Sequence, residues 1–212
     1  MNAAPVRLYI DARFTSPYAM SVFVALREKE IDFELMKVDL HTARHRAKGY
    51  AELSLTQRVP MLVDGDFSLS ESSAITEYLE DSFPQTPIYP RDVQHRARAR
   101  QVQAWLRSDL VAIREERSTL VVFYGRKYPP LSSDGQAAAD KLISAAQTLL
   151  SDGQEHLFGD WSIADVDLAL MLNRLILNGD EVPAPLVQYA QRQWQRVTVQ
   201  EWVGQQRPPL SL

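Results

Sequence analysis

Residues 58–72 read RVPMLVDGDFSLSES, and the organisation of the first half of the chain turns on them. Two short apolar runs, Met61 to Val63 and Phe67 to Leu69, flank Asp64-Gly65, a turn pair that tolerates positive φ. That pattern predicts a hairpin. Pro60 has no N–H to give a neighbouring strand and pushes Val59 into an extended conformation, which leaves Val59 with free backbone groups. From Glu71 to Phe83 the apolar period becomes helical, through Ala74, Ile75, Tyr78 and Leu79. Glu71-Ser72 then stands at a helix start, where backbone N–H groups and the positive dipole end suit an anion. Each signal alone has a plain structural meaning, an edge-strand proline and a helix cap. The hairpin, however, sets the two side by side, an arrangement suited to a small peptide-like ligand carrying a carboxylate.

Working outward, Val6 to Ile10 (VRLYI) reads as a buried strand followed by the polar loop DARFTS. Ser16-Pro17 opens a helix, because Ser is a favoured N-cap and Pro costs nothing at the first helical position. Its apolar face carries Val22, Ala25 and Leu26. Phe33 to Leu40 predicts a second strand, and the polar stretch from His41 to Ser54 only partial helix. The order strand, helix, strand, irregular helix, strand, strand, helix predicts an α/β domain of thioredoxin-like layout.

Pro84, Pro87 and Pro90 stiffen FPQTPIYPRD as an interdomain connector. The expected boundaries are 1–83 for the first domain, 84–91 for the linker and 92–212 for an all-α domain. Asp92 is set to cap a long helix whose stripe runs Val102, Trp105, Leu106, Leu110, Ile113. Ser132 to Leu150 predicts another helix. IADVDLALMLNRLIL is apolar almost all round, as a helix buried in its domain would be, and Gly179 suits its end.

The chain has 212 residues, 45% apolar and 24% charged, an ordinary globular composition. With 23 Lys plus Arg against 27 Asp plus Glu, the net charge of −4 offers no footprint for nucleic acid or an anionic membrane, so neither partner is expected. The exposed run HRARAR reads as a solvated helix face. No membrane span or signal layout is present, which points to the cytoplasm. There are no cysteines, so any sulfur chemistry must use a thiol brought by a ligand. His41 and His45 are four apart, but no carboxylate completes a metal set, and no metal is expected.

In Val59-Pro60, Glu71-Ser72 and SSAITEYLED the chain resembles the glutathione transferase family, and the resemblance runs over almost its whole length. The segments RARARQVQAWLRSDL, IREER and QWQR look most like the bacterial YfcF-type members. The resemblance implies the glutathione transferase fold, a thioredoxin-like N-terminal domain followed by an all-helical C-terminal one, with glutathione as co-substrate, no metal, and a homodimer. It implies a cis Val59-Pro60 bond. It gives the Val59 backbone the cysteinyl unit of glutathione, and Glu71 and Ser72 the γ-glutamyl end. Ser54-Leu55 departs from the Asn-Pro of many relatives, which leaves Arg58 or Gln57 for the glycine end. WSIAD resembles the family's capping box, with Ser162 and Asp165 structural and Trp161 stapled onto Val166.

By the same resemblance, Ser16 would activate the thiol. A cysteine-type thiol has a pKa of about 8.5, and lowering it by about two units takes ~2.7 kcal/mol of differential stabilisation. One hydroxyl hydrogen bond to an anion supplies ~1.5–3 kcal/mol and a helix dipole ~0.3–1. Thr15 and Tyr9 are rivals for the task, and Ser16 has the competing role of a simple cap. Phe14, Tyr18, Trp105 and Tyr124 are either wall residues for a second substrate or core. The expected function is a glutathione-dependent transferase attacking small electrophiles. Glutathione-dependent peroxide or disulfide reduction and a non-catalytic interaction module are the alternatives.

Overall fold

The computed structural model describes residues 5–40, 42, 48–151 and 153–210. The chain divides into two compact units. One runs to Pro87 and takes in the segment from Glu201, and the other covers Ile88–Gln200.

The first unit contains β1 (Val6–Asp11), α1 (Pro17–Glu28), β2 (Phe33–Val38), α2 (Lys48–Leu53), β3 (Met61–Asp64), β4 (Phe67–Ser70) and α3 (Ser72–Ser82). The strands form one mixed sheet ordered β2-β1-β3-β4. β1 is parallel to β2, which demands a crossover, and α1 supplies it. β1 is antiparallel to β3, and β3 to β4. Side-chain alternation sends Leu8, Ile10 and Leu62 to one face, where α1 and α3 bury them. Tyr9, Met61 and Val63 go to the other face and pack with Val38, Val59 and Tyr50 of α2.

The hairpin loop is Gly65-Asp66, one residue later than the expected Asp64-Gly65, because Asp64 stays in the ladder opposite Phe67. Gly65, at φ 57°, takes the left-handed position that costs glycine nothing. Asp64 is retained by a second contact, its carboxylate accepting the Tyr78 hydroxyl at 2.8 Å. Lys29 follows α1 and is buried, its ammonium 2.7 Å from Glu80 and donating to the carbonyls of Phe83 and Thr86 at 2.8 Å each. All three of its donors are satisfied, the condition for burying that charge.

By its contacts the segment from Glu201 groups with the first unit. The cause is Trp202, fully buried with its indole 5.3 Å from the rings of both Phe14 and Phe23. An indole that size is a dominant packing element wherever it settles.

The second unit holds α4 (Val93–Ser108), α5 (Val111–Glu116), α6 (Thr119–Tyr124), α7 (Ser133–Leu149), α8 (Ile163–Ile176) and α9 (Ala184–Trp194). α10 (Val197–Val203) follows. Asp92 caps α4, accepting the His95 N–H at 2.8 Å. The single helix expected to continue to Ile113 is broken at Leu110, which sits at φ 59°. Asp109 accounts for the break: its carboxylate accepts the Leu110 N–H at 2.7 Å, the Trp105 indole N–H at 2.9 Å and the Lys141 ammonium. α8 is buried on nearly every side. Asp165 at its start accepts the Ser162 N–H at 2.9 Å and hydroxyl at 3.1 Å, plus the Leu157 N–H and the Tyr189 hydroxyl at 2.8 Å each. Burial pushes its carboxyl above the usual range against those donors. Among the described residues, no helix is long and apolar enough to cross a membrane.

Candidate functional site

Strand register gathers the candidate residues at one end of the sheet. Tyr9 pairs with Met61, and Met61 with Ser70. Asp11, where β1 ends, Pro60, which leads into β3, and Glu71, which follows β4, therefore lie along the same edge.

Ser16 is the N-cap of α1, with extended backbone and Pro17 behind it. Its hydroxyl oxygen accepts the Ala19 N–H at 3.2 Å. A hydroxyl has one proton to give, and among the described residues nothing accepts that of Ser16. The Thr15 hydroxyl differs, since it donates its proton to Asp11 at 2.9 Å. Asp11 also accepts the N–H of Thr15 at 2.7 Å and of Ser16 at 2.9 Å, and is itself buried. Tyr9 packs edge-on against Tyr50, ring centroids 5.7 Å apart. Of these three hydroxyls, that of Thr15 is spent on Asp11, whereas those of Ser16 and Tyr9 have no acceptor among the described residues, and of the two it is Ser16 that stands at a helix N-terminus. Asp11 escaped the sequence reading as one carboxylate in a polar loop, and its only signal is its place directly after a buried strand.

The Val59-Pro60 bond is cis. Among the described residues, no backbone group pairs with the amide or carbonyl of Val59. The backbone just before it is held by Tyr50, whose hydroxyl donates to the Arg58 carbonyl at 2.8 Å. Burial pushes that phenol up to about 12, so it remains a neutral donor across the working pH range. Tyr50 too was missed, within a segment read only as polar. Arg58 and Gln57 are exposed, with Gln57 at φ 52°.

Glu71 occupies the cap position of α3 but makes no side-chain capping bond. The plain capping explanation therefore fails for it. Its backbone sits at φ 75°, a costly conformation for a residue with a Cβ, of the kind that clusters at ligand sites. Its carboxylate is exposed, whereas Ser72 is buried in the first turn. Beside Glu71, a cleft of about 410 Å³ opens between the end of α2 and β4, lined by Leu53, Leu55, Thr56, Ser68 and Ser70 among others. The Thr56 hydroxyl has no partner among the described residues. Leu55, in the stretch that departs from Asn-Pro, is 94% exposed.

His41 and His45 lie outside the described residues. Among the described ones, no group of three or more His, Asp or Glu stands close enough to hold a metal ion.

Known proteins agree with this architecture. Residues 5–81 match the model of the glutathione S-transferase N-terminal domain, and residues 92–206 that of its C-terminal domain. A crystal structure of a glutathione transferase homolog from Burkholderia GL BGR1, with bound glutathione, is 43% identical, covers 95% of this chain and 97% of its own, and superposes with a TM-score of 0.77. Human glutathione S-transferase theta-1 is 32% identical over 152 residues, 69% of this chain and 61% of that protein. Glutathione S-transferase 1 of Dianthus caryophyllus is 42% identical over 82 residues, 39% of this chain and 37% of that protein. The matched stretches thus span less than two thirds of either curated relative. Since both parts of the fold are matched by the family's own domains, the chain belongs to the glutathione S-transferase family.

Proposed function

We propose that the protein is a glutathione-dependent transferase in which Ser16 activates the thiol. The observation that carries this reading is the hydrogen-bond pattern at the start of α1. Ser16 accepts the Ala19 N–H and its own proton has no acceptor among the described residues, while the proton of Thr15 goes to Asp11. In the proposed complex the Ser16 O–H donates to the glutathione sulfur, stabilising the thiolate over the thiol, and the α1 dipole adds to the effect. The Val59 amide and carbonyl pair with the cysteinyl unit. Glu71 and Ser72 hold the γ-glutamyl end, and Arg58 meets the glycine carboxylate. The thiolate attacks a small electrophile, with no metal required, in a cytoplasmic homodimer.

With no cysteine in the chain, conjugation and the reduction of a peroxide or disulfide would all run through the same glutathione sulfur. A panel of an aromatic halide, an organic hydroperoxide and a mixed disulfide separates these uses. The activation step is tested by Ser16→Ala. Turnover should fall by roughly 10–100-fold, in line with loss of one hydrogen bond worth ~1.5–3 kcal/mol to the anion. Glutathione affinity, measured by titration calorimetry, should change little. Full turnover in Ser16→Ala, with loss in Thr15→Ala or Tyr9→Phe, would move the role to one of those residues, and no binding at millimolar glutathione would reject an enzymatic reading.

A further inference from the structure

The loop that delivers Ser16 is held from two directions by opposite charges. Phe14 lies at φ 52°, a left-handed conformation that a bulky residue keeps only when its surroundings impose it. Its ring is buried against Trp202, 5.3 Å away. Its carbonyl accepts from the Arg207 guanidinium, at 3.4 Å from Nε and 3.3 Å from Nη2. The same guanidinium is fixed by the carbonyls of Trp202 at 2.9 Å, Val203 at 2.7 Å and Gln205 at 3.0 Å. On the far side of that one peptide group, the Thr15 N–H donates to Asp11 at 2.7 Å. The Phe14–Thr15 peptide is thus clamped between a cation on its oxygen and an anion on its N–H. The Thr15–Asp11 bond is short and charge-assisted, roughly twice as strong as a neutral one, while the two Arg207 bonds to the Phe14 oxygen, at 3.4 and 3.3 Å, are longer and individually weaker and act as a forked pair.

We propose that Asp11 and Arg207 are positioning residues for Ser16. Together they fix the Phe14–Thr15 peptide and, through the Asp11 bond to the Ser16 N–H at 2.9 Å, the direction in which the Ser16 hydroxyl meets the glutathione sulfur. The inference rests on the thiol activation proposed above and extends it. Asp11 further keeps the Thr15 hydroxyl from competing, because it takes that proton itself. The α1 cap then offers a single free hydroxyl proton. Neither residue needs to touch substrate. Arg207 acts across 193 positions of sequence, and only its planar fork reaches the several carbonyls it joins.

The test compares Asp11→Asn, Arg207→Gln and their double variant with wild type and Ser16→Ala, all well below their melting temperatures. Arg207→Lys keeps a cation but not the fork, and stands in for Arg207→Gln should that variant not fold. Each clamp variant should lose about tenfold or more in kcat, since sub-ångström misplacement of a catalytic group is expensive, with the KM for glutathione within about twofold. The acid limb of the kcat profile should move to higher pH, which a merely structural lesion would not produce. The double variant should be little worse than the weaker single one, because both residues hold one peptide. If Ser16→Ala loses turnover while the clamp variants melt earlier but keep wild-type kcat and pH profile, the clamp is overturned and the thiol activation stands. If Ser16→Ala retains turnover, both fall.

Discussion

Tyr50 reaches from α2 to the Arg58 carbonyl and so sets the backbone immediately ahead of Val59, the residue proposed to pair with the ligand main chain. Removing that hydroxyl in Tyr50→Phe should cost about 1 kcal/mol of stability and weaken glutathione binding several-fold, read by urea denaturation and calorimetry. The pH dependence has a definite sign. Burial raises the Tyr50 phenol from 10 to about 12, so the folded state keeps its proton where the unfolded chain has lost it. The contribution is complete below pH 10 and disappears as pH rises toward about 12. Wild type should therefore lose its advantage over Tyr50→Phe across that alkaline interval. At this scale, what the sequence discloses is local: the Ser16 cap and the free Val59 backbone follow from immediate neighbours. Asp11, Tyr50 and Arg207 do not, because each acts on a residue that only the fold brings near.

Between elements, the junction of α4 and α5 shows why a correct apolar stripe still misplaced a helix end. Val102, Leu106, Leu110 and Ile113 of the stripe are buried and Trp105 is half-buried, so the spacing described most of the burial. The break lies in Asp109, whose three donors include Lys141 of α7, a partner remote in sequence. Lys141, then the Leu110 N–H and the Trp105 indole, lower the Asp109 carboxyl from 3.8 to about 2. Its stabilising contribution is present above pH 3.8 and is lost as pH falls toward about 2. Asp109→Asn should melt a few degrees below wild type at neutral pH, with the gap closing in acid, measured by circular dichroism over a pH series. The hairpin is the complementary case. Its existence was plain from the two apolar runs, but its loop moved by one residue because Tyr78 holds Asp64 in the ladder.

For the molecule as a whole, the mixed sheet and the helical unit were both legible, since periods of two and 3.6 residues report which faces are buried. The packing of Trp202 was not, because its partners, Phe14 and Phe23, lie near the other end of the chain. That long-range packing underlies the proposed support for Ser16, in a chain that has no cysteine and so, in the proposed reaction, relies on the sulfur of its ligand. The most direct measurement of the central claim is a pH titration of thiolate absorbance in the protein–glutathione complex, for wild type and Ser16→Ala. The wild-type complex should titrate well below the free-thiol pKa of about 8.5, and the Ser16→Ala complex should return toward it. A wild-type titration at the free-thiol value, or one unchanged by Ser16→Ala, would contradict thiol activation by Ser16.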